Sequence, residues 1–150
     1  MSMPEIVDLR CEKYDLEFKE ALQTSLHTVE KTHNVLVEVE LESGTVGLGE
    51  AVPSDKVTNE TRETVMTVIE ESAEHLEGEP VSSYRKIHRK LRAYFDGHSS
   101  AIAGIEIALF DAMTKELDIS IEEFVGGEGD EVRSDYTIMI GDEEETREKA

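Results

Sequence analysis

The sequence predicts an α+β fold: a three-stranded antiparallel meander followed by a helical group, then one further strand with the start of a helix. Three patterns carry this expectation. Val35, Val37, Val39 and Leu41 alternate with Glu38, Glu40 and Glu42, which is the period of a half-buried strand. Apolar residues recur at spacings of three and four through 65–76, 84–94 and 102–113, the period of helices packed by one face. The sheet-forming segments precede the helical group and do not alternate with it, which separates this order from repeated β-α units.

Taken in order, residues 6–18 read as a strand interrupted by charges, with Val7, Leu9 and Cys11 on one face. Residues 19–31 are polar with few apolar positions and are expected to form a mobile loop. The alternating run at 35–41 is the central strand. Ser43-Gly44 supplies turn chemistry, and Val46 and Leu48 open the return strand. Thr58 or Asn59 then caps a helix with Val65, Val68, Ile69, Ala73 and Leu76 on its inner side, ended by Gly78 and Pro80. Ser82 or Ser83 starts the next, with Tyr84, Ile87, Leu91 and Tyr94 on one stripe and Gly97 closing it. Ser99 or Ser100 starts the most apolar helix, lined by Ile102, Ile105, Leu109 and Met113, where Ala103 and Gly104 permit close packing. A short segment ends at Gly126-Gly127. Tyr136, Ile138 and Ile140 form a last strand, and Asp142 caps a new helix. That strand has no partner among the other segments and needs neighbours to pair with.

Composition narrows the function classes. At 150 residues the chain has the size of one ordinary domain. Its formal net charge of −20 repels nucleic acid and anionic membranes, and a solvated acidic surface is the simplest account of it. No apolar run approaches the roughly 20 residues of a membrane span. The N-terminal residues lack the layout of an export signal. The single cysteine, Cys11, cannot form an internal disulfide or a zinc cluster. A reducing, cytoplasmic setting is the expectation.

Two blocks carry a family resemblance: HNVLVEVELESGTVGLGEAVP at 33–53 and HSSAIAGIEIALFDAMTKELDISIEEFVGG at 98–127. Together they resemble the N-terminal capping domain of the enolase superfamily, in its muconate-lactonizing and mandelate racemase-like branch, and are dipeptide epimerase-like. DYTIMIGDEEETREKA at 135–150 resembles the first strand of the barrel that follows this domain. The resemblance implies a capping domain over 1–130, and over 131–150 the first strand and helix start of a (β/α) barrel. Such a barrel takes roughly 250 residues. It implies removal of a proton alpha to a carboxylate or carbonyl, with Mg²⁺ stabilising the enediolate and a lysine as base. In that family the lysines lie on the second and sixth barrel strands and the three metal-binding carboxylates on the third to fifth. Lys149 falls before the second strand and outside the Lys-x-Lys spacing. No catalytic or metal-binding residue is therefore assigned, Mg²⁺ belongs to the complete enzyme, and the chain alone is expected to be inactive.

The resemblance also implies substrate contacts from two capping loops. The first matches 17–29. There an arginine meets the distal carboxylate of the substrate in similar epimerases, and Gln23 stands in its place. Glutamine offers no charged bidentate fork, which argues against a glutamate side chain at the second position of the substrate. The second loop matches 50–58, where Val52 and Pro53 close over the substrate. On the barrel strand, Thr137 matches a threonine that points into the active site. The expected partner is a small carboxylate or dipeptide, with the barrel following in the chain or supplied in trans. Neither nucleic acid nor membrane is expected, and a homo-oligomer is possible. The alternatives are a muconate or o-succinylbenzoate-type cycloisomerase or synthase, and a non-catalytic stand-alone binding module.

The remaining motifs read as structure. Gly44, Gly47 and Gly49 are not followed by a helix, so hairpin geometry explains them better than a phosphate cradle. Glu50 reads as a hydrogen-bonding group at the strand's end rather than a general acid. The five histidines, His27, His33, His75, His88 and His98, show no ligand spacing. Cys11 reads as a small core residue. The run YRKIHRKLR at 84–92 sets five cations on one helix, without stacking aromatics on the basic face, and reads as a complement to the acidic surface of the same chain.

Overall fold

The computed structural model describes residues 3–23, 28–127 and 131, the side chains at 20, 22, 23 and 29 excepted. β1 (Ile6–Gln23), β2 (Thr28–Leu41) and β3 (Val46–Ala51) form an antiparallel sheet in the order β1-β2-β3. Four helices follow among the described residues: α1 (Arg62–Leu76), α2 (Tyr84–Tyr94), α3 (Ser99–Leu117) and α4 (Ile121–Val125), with a short 3-10 turn at Val81–Ser83 before α2. The meander and helical group stand as the sequence patterns predict. The strand expected near 136–140 lies outside the described residues.

Val35, Val37 and Val39 on β2 are fully buried, because α1 and α3 cover that face of the sheet. On the other face Glu38 and Glu40 are held by Arg10 of β1, at 3.4 Å and 3.1 Å. Gly44 turns the β2–β3 hairpin at φ +87°, with Leu41 and Thr45 closing it by a 2.9 Å hydrogen bond. The hydroxyls of Ser43 and Thr45 both donate to the Glu116 carboxylate near the end of α3. These bonds hold that carboxyl below the usual range, Ser43 contributing most.

The glycines of β3 have a different role from that expected. Their strand is straight hydrogen-bonded ladder, and they, not Val46 and Leu48, face the core. A Cβ on Gly47 would lie 2.1 Å from the Ala108 carbonyl oxygen, and one on Gly49 would lie 2.1 Å from that of Gly104. On the facing helix, a Cβ on Gly104 would sit 2.9 Å from the Ala51 Cβ. Strand and helix meet backbone to backbone, so side chains are excluded from both surfaces.

Three local expectations are corrected. The segment 19–31 is largely strand: β1 runs on to Gln23 and β2 begins at Thr28, with Glu17 opposite Lys31 and Gln23 opposite Thr28. Few apolar residues occur in this stretch, so the ribbon has no apolar period there to betray it. Val7 does not share a face with Leu9. Ile6 pairs with Leu41 and Asp8 with Glu40, leaving Val7 as the extra residue of a bulge. Ile6 is consequently buried and Val7 is 47% exposed. Finally, α1 is capped by Thr61, whose side chain accepts the Thr64 N–H in a capping box, and neither Thr58 nor Asn59 serves.

α1 buries Val65, Val68, Ile69, Ser72 and Leu76, with Ala73 partly buried against the same core; Ser72 turns its hydroxyl back to the Val68 carbonyl at 2.6 Å. α2 buries Ile87 and Leu91. Tyr84 packs on Phe110 and Phe124, while Tyr94 is exposed and stacks on His75. α4 opens on a second capping box, Ser120 with Glu123, and ends at Gly126 in the left-handed region.

Candidate functional site

A cleft of about 630 Å³ opens between the β1–β2 ribbon and the connection from β3 to α1. Phe18, Thr32 and His33 of the ribbon form one wall; Val52, Pro53 and Asp55 form the other, with Glu60 and Arg62 at its base. The ribbon wall is fixed by charge. Arg62, only 12% exposed in its side chain, donates to the Asp15 carboxylate, and its Nε donates to the His33 carbonyl at 3.2 Å. His33 Nδ1 lies 3.2 Å from Asp15 Oδ1. The Arg62 hydrogen bond, then that of His33, holds the Asp15 carboxyl below its usual range. Asn34, buried beside them, donates through Nδ2 to Glu50, the structural role expected for that glutamate.

The structure brings two of the four expected substrate contacts into this cleft. Val52 is 52% exposed and Pro53 half-buried, and both line the opening. Gln23 stands at the far end of β1, opposite Thr28, with its side chain outside the described set. Thr137 lies outside the described residues. Asp15, Glu60 and Arg62 escaped the sequence reading. Their contacts span 47 and 40 positions of chain, and no periodicity marks a charged residue that pairs at that range.

The other candidates are quiet. The Cys11 thiol is pushed up to about 11, by burial first and then by the Glu70 carboxylate, and thus stays protonated at neutral pH. His75 stacks on Tyr94 and meets Phe95 edge-on, and His88 Nδ1 lies 2.7 Å from Glu106. His27 lies outside the described residues. Among the described residues no group of three or more His, Cys, Asp or Glu side chains is placed to hold a metal ion, and no helix is long and apolar enough to cross a membrane. In the basic run, Lys86 pairs with Glu79 at 2.7 Å and Lys90 donates to the His75 carbonyl at 3.2 Å.

Comparison with known proteins gives one consistent result. The family model described as mandelate racemase / muconate lactonizing enzyme, N-terminal domain, matches residues 7–126. An aromatic dipeptide epimerase of Herpetosiphon aurantiacus is 38% identical over 110 residues, covering 73% of this chain and 31% of the relative. A dipeptide epimerase of Enterococcus faecalis, solved with Mg and the dipeptide L-Leu-L-Tyr, superposes with a TM-score of 0.92 at 27% identity, over 97% of this chain and 41% of that one. The substrate-liganded L-Ala-D/L-Glu epimerase of Bacillus subtilis superposes with a TM-score of 0.91 at 25% identity, again over 97% and 41%. The chain thus spans between 31% and 41% of the length of these relatives.

Proposed function

We propose a function from one premise: the chain belongs to the mandelate racemase / muconate lactonizing enzyme N-terminal domain family, and its relatives include dipeptide epimerases of the enolase superfamily. The domain caps the active site of such an epimerase and selects its substrate. The whole enzyme removes the proton alpha to a dipeptide's terminal carboxylate and returns one to the opposite face. A solved relative carries Mg together with its dipeptide, and metal dependence is assigned to the complete enzyme. What this domain contributes is binding, orientation and exclusion of water.

The observation that carries the reading is the convergence of two separate segments, the ribbon at Phe18 and the β3–α1 connection at Val52 and Pro53, on one cleft. Apolar groups from both walls suit an apolar side chain at the substrate's second position. Gln23, in place of a guanidinium, removes the attraction for a glutamate there. The likeness to an epimerase named for aromatic dipeptides supports the same choice. Gln23 and Thr137 complete the proposed contact set.

The test begins with the intact mass of the protein from its natural source, read against the 16.8 kDa of this sequence. A mass more than about twice that assigns the barrel to the same chain; an unchanged mass directs the assay to a mixture with a barrel partner. The protein, with Mg²⁺ in D₂O, is then offered dipeptides, and deuterium at Cα is read by mass spectrometry. Exchange is expected to be at least about tenfold faster with a Phe, Tyr or Leu second residue than with Glu. The reverse order overturns the substrate choice. Exchange with no dipeptide at all overturns the epimerase reading in favour of a cycloisomerase or a binding module.

A further inference from the structure

The first turn of α3 has no cap of its own. His98, its N-cap residue, makes no side-chain bond to it, so its free amides need an acceptor from elsewhere. Glu60 supplies one from 40 positions away, its Oε2 accepting the Ser100 N–H at 2.9 Å. Glu60 is 2% exposed, and the helix N-terminus is what makes a buried carboxylate tolerable there. The Ser100 hydroxyl donates to the Val52 carbonyl at 3.2 Å and lies 3.3 Å from the Thr58 hydroxyl. That hydroxyl in turn donates to the Ser54 carbonyl at 3.0 Å and accepts the Ser54 N–H at 3.2 Å.

Ser100 therefore ties down the start of the β3–α1 connection at Val52, its last turn at Thr58, and its end at Glu60. Between those ties Pro53 and Ser54 are half-buried and the tip at 55–57 is exposed, with Val57 85% exposed. Packing alone does not explain a carboxylate at this position. Glu60 Oε1 is buried without a hydrogen-bond partner, and His98 Nδ1, likewise unpartnered, is 4.0 Å away. Such an oxygen destabilises the fold unless the rest of the group holds something in place.

We propose that Glu60 is a positioning residue: acting through Ser100, it fixes the course of residues 52–58 over the cleft and so sets the shape offered to the substrate's second side chain. This rests on the reading that Val52 and Pro53 cover the substrate, and its first test is independent of activity. Glutamine presents the same acceptor to Ser100, whereas alanine presents none.

Hydrogen–deuterium exchange of the whole protein is compared for wild type, Glu60→Gln and Glu60→Ala. In Glu60→Ala, amides at 52–58 are expected to exchange about tenfold faster while those at 35–41 keep wild-type rates; Glu60→Gln stays near wild type. If Glu60→Ala does not fold, Ser100→Ala, which keeps the backbone bond but loses the hydroxyl, is held to the same expectation. For dipeptide turnover, KM is expected to rise about tenfold in Glu60→Ala with kcat within about threefold, and Glu60→Gln to restore it. Absence of turnover in wild type counts against the epimerase reading and leaves the exchange result to decide this one. Unchanged exchange at 52–58, or an equal rise at 35–41, overturns the proposal, because Glu60 is then a helix cap and nothing more.

Discussion

At the scale of single residues, the groups that matter most are charged ones with a fixed partner. Asp15 sits on an exposed ribbon, yet Arg62 and His33 converge on its carboxylate, and its proton affinity falls accordingly. The consequence for stability has a definite sign. A carboxyl whose folded pKa lies below the unfolded one stabilises the fold fully above the ordinary aspartate value of about 3.9, and that share is lost as pH falls through the folded value. Glu116, held low by Ser43 and Thr45, acts in the same direction. The urea midpoint of wild type is therefore expected to fall below about pH 4, and more gently in Asp15→Asn. Parallel curves for the two proteins between pH 3 and pH 6 would show that the Arg62 contact adds nothing to the fold.

Between elements, the contact that sets the architecture is the one made by absent side chains. β3 and α3 approach through Gly47, Gly49 and Gly104, and each of those positions is closed to a Cβ. Gly49→Ala must move a strand or a helix, and overpacking of this kind is expected to destabilise by about 3 kcal/mol or more. Gly44→Ala is the control. Nothing lies near that position, so only the strain of φ +87° remains, about 1 kcal/mol. Urea denaturation of the two variants checks this, and equal losses would mean that the close approach is not what the glycines serve. The same pair shows what a sequence can disclose. Helix and strand periods are visible where one face is buried, as in Val35 to Leu41 and Ile102 to Met113. Gly49 reads as turn chemistry because nothing in its own neighbourhood says that α3 lies against it. The sequence beyond Phe18 shows no apolar period, so the continuation of the ribbon to Gln23 and its return from Thr28 were invisible. The cleft was legible at Val52 and Pro53 through family likeness; Asp15, Glu60 and Arg62 became visible only when distant segments met.

The whole molecule is governed by an excess of negative charge. Fifteen lysines and arginines face 35 aspartates and glutamates, and the described ion pairs use the cations singly, as with Arg10 among Asp8, Glu38 and Glu40. Arg89 and Arg92 on α2 have no carboxylate partner among the described residues, so local pairing does not relieve the excess. Two effects of salt then oppose each other. Screening weakens the exposed pairs, each worth little to begin with, and it weakens the repulsion summed over a net charge of −20. The repulsion acts over distances near the Debye length, which shrinks from about 10 Å at 0.1 M to about 3 Å at 1 M, so the second effect should win. Stability to urea, which is uncharged and does not itself screen, is expected to rise by an amount on the order of 1 kcal/mol between 0.1 M and 1 M NaCl. Sodium sulfate at matched ionic strength separates screening from surface exclusion. A rise in sulfate but not in chloride would assign the effect to hydration. A fall in both would mean that the pairs around Arg10 and Arg62 outweigh the repulsion of the acidic surface.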